Sequence, residues 1–123
     1  VVFTVPGIMT AAPYEVIDDS HWCFAGTGLS TGDTFGKKSL HQRVPGGASG
    51  HETDKMSAQS PAGTKLLARG LNPESGGAEI VHFTCDSGGE VFSVGSICWN
   101  ASILVDAAVS QITKNVIMRN SDR

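Results

Sequence analysis

Imidazole side chains beside carboxylates are the groups in this sequence best suited to acid–base chemistry near neutral pH. One such group, His21, lies in the run Asp-Asp-Ser-His-Trp at residues 18–22. An aspartate can hold a histidine in one tautomer for general-base catalysis. The same residue types also cap turns, with the imidazole hydrogen-bonded in place. The pattern favours a capped turn, and catalysis by Asp19 and His21 is the alternative.

A second set of polar residues has the donor atoms of a metal site. His51, Glu52 and Asp54 are close in sequence, and His41 precedes them by ten residues. Hard and borderline metals accept two imidazoles and two carboxylates, but adjacent His and Glu on a loop are not the helical H-E-x-x-H motif. We therefore expect Glu52 and Asp54 to brace a loop, with Lys55 as a neighbour. Base catalysis by His51 and Glu52, or metal ligation, is the alternative.

The segment CDSGGE at residues 85–90 is similar to the GDSGG sequence around a serine-protease nucleophile. That chemistry needs a histidine base and an oriented aspartate on other loops. Cys85 stands in place of the leading glycine, and no histidine motif precedes it. Asp, Ser and Gly are turn residues, so the segment predicts a hairpin turn. His82, in the middle of a predicted strand, is interpreted as a packed polar residue.

Two Gly-rich segments and one strand end are further candidates for binding. Gly26-x-Gly28 is followed by Thr31 where a dinucleotide motif has its third glycine, and residues 46–50 lack the Lys-Ser/Thr ending of a phosphate loop. Backbone flexibility explains both segments, although bare N–H groups can still hold an anion. The segment 99–102 (WNAS) follows a strand, where α/β sheets collect ligands, or it is a helix-entry loop plugged by Trp99.

Strands, a hairpin and one helix would position these residues. Strands are predicted at 1–5, 64–71, 78–85 and 90–99, and the last two form a hairpin around residues 86–89. Both strands of the hairpin carry apolar side chains on both faces, which is typical of a covered sheet. Residues 8–20 read as loop with one helical turn at most. Residues 22–25 form a short buried strand or a wedge under a loop.

A helix closes the chain, at about residues 107–118, with Asp106 as its N-cap. Its apolar stripe contains Val105, Ala108, Val109, Ile112 and Val116, and Ser110, Gln111 and Lys114 lie opposite. Residues 26–61 form a long Gly-rich loop region, which is uncommon inside a compact domain unless it is functional or supported by a partner. These elements predict the closing part of an α/β layered domain.

Composition excludes several classes of protein. Nine Lys and Arg against twelve Asp and Glu give a net charge of −3, so there is no basic footprint for nucleic acid. No apolar run is long enough for a membrane span. Three irregularly spaced cysteines predict buried free thiols in a reducing compartment, here the cytoplasm. The chain opens with a strand already under way, so we expect a single segment, 1–123, of a larger domain.

Six motifs in fixed order resemble a known family. They are DSHW (19–22), FAGTGL (24–29), GDTFG (32–36), GxExD (50–54), GGxVFSVGSIxW (88–99) and ITxNV (112–116). From about residue 18 onward, this series resembles the C-terminal region of the large subunit of N,N-dimethylformamidase.

The resemblance implies a fold, a reaction and partners. It implies a glutamine-amidotransferase-like α/β fold and hydrolysis of dimethylformamide-type amides to formate and an amine. It also implies a small helical partner subunit and an iron held by two tyrosines and a glutamate, where iron(III) would activate water or the amide carbonyl.

Tyr14 is the one tyrosine of this chain, and the family's H-x-E-Y-W-like carboxylate motif is not found, since Thr53 follows Glu52. No iron ligand or catalytic residue is therefore assigned to any position here. The iron is expected on the upstream part of the large subunit, and this chain would be inactive alone. A non-catalytic assembly module, or one that binds a sugar or anion, is the alternative.

Overall fold

The computed structural model describes residues 2–4, 11–41, 44–50 and 53–121. The strands within these residues are β1 (Val2–Thr4), β2 (Ala11–Ala12), β3 (Tyr14–Val16), β4 (Thr34–Phe35), β5 (Ser49–Gly50), β6 (Thr53–Lys55), β7 (Lys65–Gly70), β8 (Glu79–Thr84) and β9 (Glu90–Ser93). Three 3-10 helices span Trp22–Phe24, Pro73–Ser75 and Ile97–Ser102, and one α-helix, α1, spans Ala107–Ser121.

The main sheet has five antiparallel strands in the order β4-β3-β7-β8-β9. The predicted hairpin is confirmed: Thr84 lies opposite Glu90, and the Cys85 N–H donates to the Gly89 carbonyl at 2.6 Å. The predicted strand at 64–71 is confirmed as β7. Two small two-stranded sheets, β1-β6 and β2-β5, lie outside the main sheet.

Strand β3 corrects the prediction of a loop over residues 8–20. It lies inside the sheet, between β4 and β7, and its residues Tyr14 and Val16 are fully buried. A strand of three residues after Pro13 gives too short a pattern to recognise, since its stability comes from partners far along the chain. The predicted Gly-rich region 26–61 contains the short strands β4, β5 and β6.

The end of the hairpin also differs from the prediction. Strand β9 ends at Ser93 and not at Trp99, because Gly95 takes a positive φ of 67° and turns the chain. Ser96 then caps a 3-10 helix by accepting the Cys98 N–H. The prediction that both hairpin strands are covered fails for β9, which is an edge strand with Val91 exposed.

Helix α1 confirms the predicted C-terminal helix and its N-cap. An Asp106 carboxylate oxygen accepts the Val109 N–H at 3.2 Å, and Val109 and Ile112 are fully buried. Gln111, predicted on the outer face, is half-buried and bonds to Asn115. In the described part of the chain, no helix has both the length and the apolar character needed to cross a membrane.

The core joins the sheet, α1 and two of the 3-10 helices. Tyr14 stacks on Phe35 at 5.4 Å and meets the edge of Trp99 at 5.6 Å. The helix Trp22–Phe24 buries Cys23 and Phe24, which confirms the wedge and not the buried strand at residues 22–25. The fold is mixed α/β, with an antiparallel sheet and a C-terminal helix, which confirms the predicted fold class. Its glutamine-amidotransferase-like layering stays a prediction.

Candidate functional site

The fold brings two imidazoles together that are far apart in sequence. His21 precedes the 3-10 helix Trp22–Phe24, and His82 lies in the middle of β8. Their ring centroids are 4.8 Å apart, and both residues are buried. With their neighbours they form what we call the imidazole cluster, which consists of His21, Trp22, His82, Glu90, Phe92 and Arg119.

His21 is a capping residue with one nitrogen left over. Its Nδ1 accepts the Cys23 N–H at 3.1 Å, so the neutral ring carries its proton on Nε2. Nε2 is buried and has no hydrogen-bond partner in the described part of the chain. Burial, followed by the charges of His82 and Lys65, lowers the pKa of His21 from 6.5 to about 4. At neutral pH the ring is uncharged and can donate from Nε2.

His82 begins a chain of polar contacts that ends on α1. Its Nε2 is 3.2 Å from Glu90 Oε1, and Arg119 donates to both oxygens of Glu90, at 2.9 Å from Nη2 and 3.0 Å from Nε. The Arg119 guanidinium also lies 4.6 Å from the centre of the Trp22 ring. The shared carboxylate thus connects the sheet to the helix, with its charge balanced by arginine.

The carboxylates near His21 in sequence do not activate it. Asp18 accepts the N–H and the hydroxyl of Ser20, and Asp19 accepts the N–H of Thr31 at 2.8 Å. The hydrogen bonds from Ser20 lower the pKa of Asp18. The segment is the capped turn that the sequence favoured. No hydrogen bond joins Asp19 to His21 among the described contacts, so the alternative of an Asp19–His21 pair lacks its geometry.

Half of the metal set that the sequence offered as an alternative lies outside the described residues. His41 Nδ1 accepts the Val44 N–H at 2.9 Å, while His51 and Glu52 are outside the described residues. Among the residues that the structure places, no three His, Cys, Asp or Glu side chains converge on a metal position.

Tyr14 does not fit the role of an iron ligand. Its hydroxyl is buried in the core and donates to the Val94 carbonyl at 2.7 Å, and burial raises the pKa of the phenol well above its usual range. A phenolate ligand must lose its proton and reach the metal. The described residues therefore do not supply the two-tyrosine site that the resemblance implies.

The other sequence candidates are structural. Residues 85–90 form the hairpin turn, with Ser87 exposed at its tip. Gly46 and Gly47 have positive φ and lie against the backbone of Ala11 and Ala12, where a Cβ would collide. Because they have no side chain, these glycines allow the segment before β5 to lie close to β2.

An apolar groove of about 100 Å³ runs between β9 and α1, next to the imidazole cluster. It is lined by Phe92, Val94, Trp99, Ile112, Thr113, Val116 and Ile117. Trp99 is buried and donates its indole N–H to the Thr113 hydroxyl at 3.0 Å. The predicted plug is therefore also part of a groove wall, although the groove offers few polar groups to orient a ligand.

Sequence reasoning did not single out Glu90, Phe92 or Arg119 as candidate functional residues. A signal for Glu90 was present in the hairpin: with Thr84 opposite Glu90, residue 82 lies diagonally across from residue 90 on the same face. No comparable local pattern connects Arg119 to Trp22, because the contact depends on how α1 packs.

Comparison with known proteins gives one result that bears on identity. A family model described as N,N-dimethylformamidase beta subunit-like, C-terminal, matches residues 1–112. No curated protein matches the chain.

Proposed function

The chain belongs to the N,N-dimethylformamidase beta subunit-like C-terminal family, and we propose that it is the C-terminal part of an iron-dependent amidohydrolase. The enzyme would hydrolyse small N-alkylated formamides, such as N,N-dimethylformamide, to formate and an amine. The observation that carries the proposal is the family match, which covers residues 1–112 of 123. We propose that the matched beta subunit is the large subunit of the enzyme.

The internal position of Tyr14 supports a scaffold role for this segment. The phenol completes the core and is hydrogen-bonded to Val94, so we propose that the iron is held by residues upstream of this chain. The segment would close the sheet and carry loops toward the substrate. On this proposal, the chain alone binds no iron and hydrolyses no amide.

Exposed apolar side chains support assembly with other chain segments. Leu104 is 86% exposed, and the exposed large apolar side chains on α1 are Ile117 and Met118. Burial of these side chains against another chain segment would remove apolar surface from water. We propose that the upstream part of the large subunit and a small helical subunit are the partners, in the cytoplasm.

The test is to measure iron content and amidase activity together in three samples: the full protein, the full protein with Tyr14→Phe, and the 123-residue chain. Iron would be measured by elemental analysis, and amidase activity by release of dimethylamine from dimethylformamide. We expect the full protein to hold iron and release dimethylamine, the Tyr14→Phe protein to keep its iron, and the separate chain to do neither.

Two results would contradict the proposal. Stoichiometric iron in the separate, folded chain would put the metal site inside these residues. Loss of iron from a Tyr14→Phe protein that still folds, judged by circular dichroism, would make Tyr14 a ligand.

A further inference from the structure

A second concave site lies away from the imidazole cluster. It is a cavity of about 270 Å³ lined by Lys55, Arg69, Gly70, Ser75, Gly77 and Glu79. Strands β6, β7 and β8 supply its charged side chains, β7 also supplies Gly70, and Ser75 and Gly77 come from the 3-10 helix Pro73–Ser75 and the segment after it. No sequence motif pointed to this combination, which the β7–β8 pairing creates by placing Arg69 opposite Glu79.

Glu79 organises the cavity and has little capacity left to accept a ligand. Its Oε1 accepts the Met56 N–H at 2.8 Å, and its Oε2 accepts Arg69 Nε at 3.2 Å. This bond orients a guanidinium whose side chain is 53% exposed, and its two terminal nitrogens have no hydrogen-bond partner within the described residues. Lys55 is half-buried and forms no salt bridge with any acidic residue that the structure describes. Two positive charges therefore meet one negative charge at the cavity.

The backbone of the cavity is fixed in an uncommon conformation. Ser75 has a φ of 58°, a region that residues other than glycine seldom adopt and that clusters at binding sites. Gly77 lies so close to Gly70 that a Cβ would collide with its backbone. Gly77 belongs to the lining, and its N–H has no hydrogen-bond partner among the residues placed by the structure.

We propose that this cavity binds a small oxyanion, the carboxylate or phosphate group of a ligand, through Arg69 and Lys55. A planar guanidinium held from behind by a carboxylate presents its outer N–H groups to two oxygens at once, and the ammonium adds a second charge. The volume suits a small anion or the anionic end of a small molecule. This inference is independent of the proposed amidase function.

The experiment is isothermal titration calorimetry of the full protein with sodium phosphate and, separately, with sodium acetate, at constant ionic strength. We expect saturable binding of at least one anion, and the two titrations distinguish phosphate from carboxylate. Arg69→Gln and Lys55→Gln should each weaken it about tenfold, because each removes a charge-assisted hydrogen bond. Lys65→Gln is the matched control, since it removes the same charge from the other end of β7 and should leave binding unchanged.

Hydrogen–deuterium exchange shows where the anion binds. Exchange in the peptide that contains Gly77 should slow when the anion is bound. The inference is overturned if neither anion binds saturably. It is also overturned if binding persists in both Arg69→Gln and Lys55→Gln, or if Lys65→Gln weakens it equally. Two separate variants keep the test valid if one of them fails to fold.

Discussion

His21 combines burial with an unsatisfied nitrogen, and both properties affect how the protein responds to acid. The charged and titratable groups around the ring are His82, Lys65, Asp18 and Arg119, of which only Asp18 favours the imidazolium. Because the folded state disfavours that charge, the unfolded chain takes up a proton at a higher pH than the folded chain does. The stability that depends on neutral His21 is complete above pH 6.5 and is lost as the pH falls toward 4.

We expect the free energy of unfolding to fall through His21 as the pH is lowered from 6.5 toward 4, because the unfolded chain binds this proton more readily than the folded chain does. His21→Asn removes the titration and keeps an oxygen to accept the Cys23 N–H. It should lower stability at pH 7 and flatten this part of the pH profile, measured by urea unfolding. His41→Asn is the control, since His41 also accepts a backbone N–H. An unchanged slope in His21→Asn would refute the assignment.

At the scale of residues, the sequence predicted the local roles of side chains better than the contacts between side chains that are far apart in the chain. Asp19 braces a turn and Asp106 caps a helix, as the sequence indicated. The contact of His21 with His82 depends on how the wedge packs against β8, and no local pattern contains that information. The cavity around Arg69 and Glu79 was likewise not predicted, since it requires the β7–β8 register.

A few side chains connect secondary-structure elements by forming hydrogen bonds to two of them at once. Asn115 on α1 donates to the carbonyls of Cys23 and Ala25, both at 2.8 Å, while its oxygen accepts from Gln111. This side chain holds the helix against the wedge Trp22–Phe24. The resemblance motif ITxNV contains it, although sequence alone did not indicate its partners.

Asn115→Ala should reduce the free energy of unfolding by about 1–3 kcal/mol, because two carbonyls lose their donor and one belongs to a buried residue. Lys114→Ala, at the exposed neighbouring position, should leave stability nearly unchanged. Urea denaturation of both variants measures the difference. Equal stability of the two would show that the helix is held by its apolar face alone.

Glu90 should contribute more to the free energy of unfolding than its ion-pair partner, Arg119. Glu90→Ala removes an acceptor from the buried His82 as well as the ion pair, so we expect a loss of about 1–3 kcal/mol in the free energy of unfolding. Arg119→Ala should reduce it less, because the guanidinium is 44% exposed and Glu90 keeps its contact with His82. Chemical denaturation of both variants tests the order, and a larger effect for Arg119→Ala would reverse our interpretation.

The predicted elements were those with long, regular patterns. Strand β7, the hairpin and α1 each have a pattern of six or more residues or a recognisable turn or cap. Strand β3 has three residues and is stabilised by β4 and β7, which sequence could not pair with it. The chain leaves the sheet at Gly95, where one positive φ outweighs the apolar run that predicted a strand to Trp99.

At the scale of the whole molecule, the three thiols differ sharply in exposure. All are free; Cys23 and Cys98 are buried, as predicted, but Cys85 is exposed after β8, which corrects the expectation for that residue. Burial raises the pKa of Cys23 to about 12 and also raises that of Cys98, so neither forms a thiolate readily.

We expect one thiol of this chain to react quickly with a maleimide while the protein is folded, and three after denaturation. Mass spectrometry of the labelled peptides measures the number, and Cys85→Ser is the control that should leave no fast-reacting thiol in the chain. Rapid labelling of Cys23 or Cys98 under native conditions would contradict the packing around them.

The exposed sulfur at the hairpin turn gives a fixed attachment point for a fluorescent dye. Cys85 follows the end of β8 opposite to Glu79, so labelling there would leave the side chains of the oxyanion cavity unmodified. Energy transfer from that dye to a dye on a second subunit would then report assembly in solution, and no cysteine would have to be introduced for the labelling.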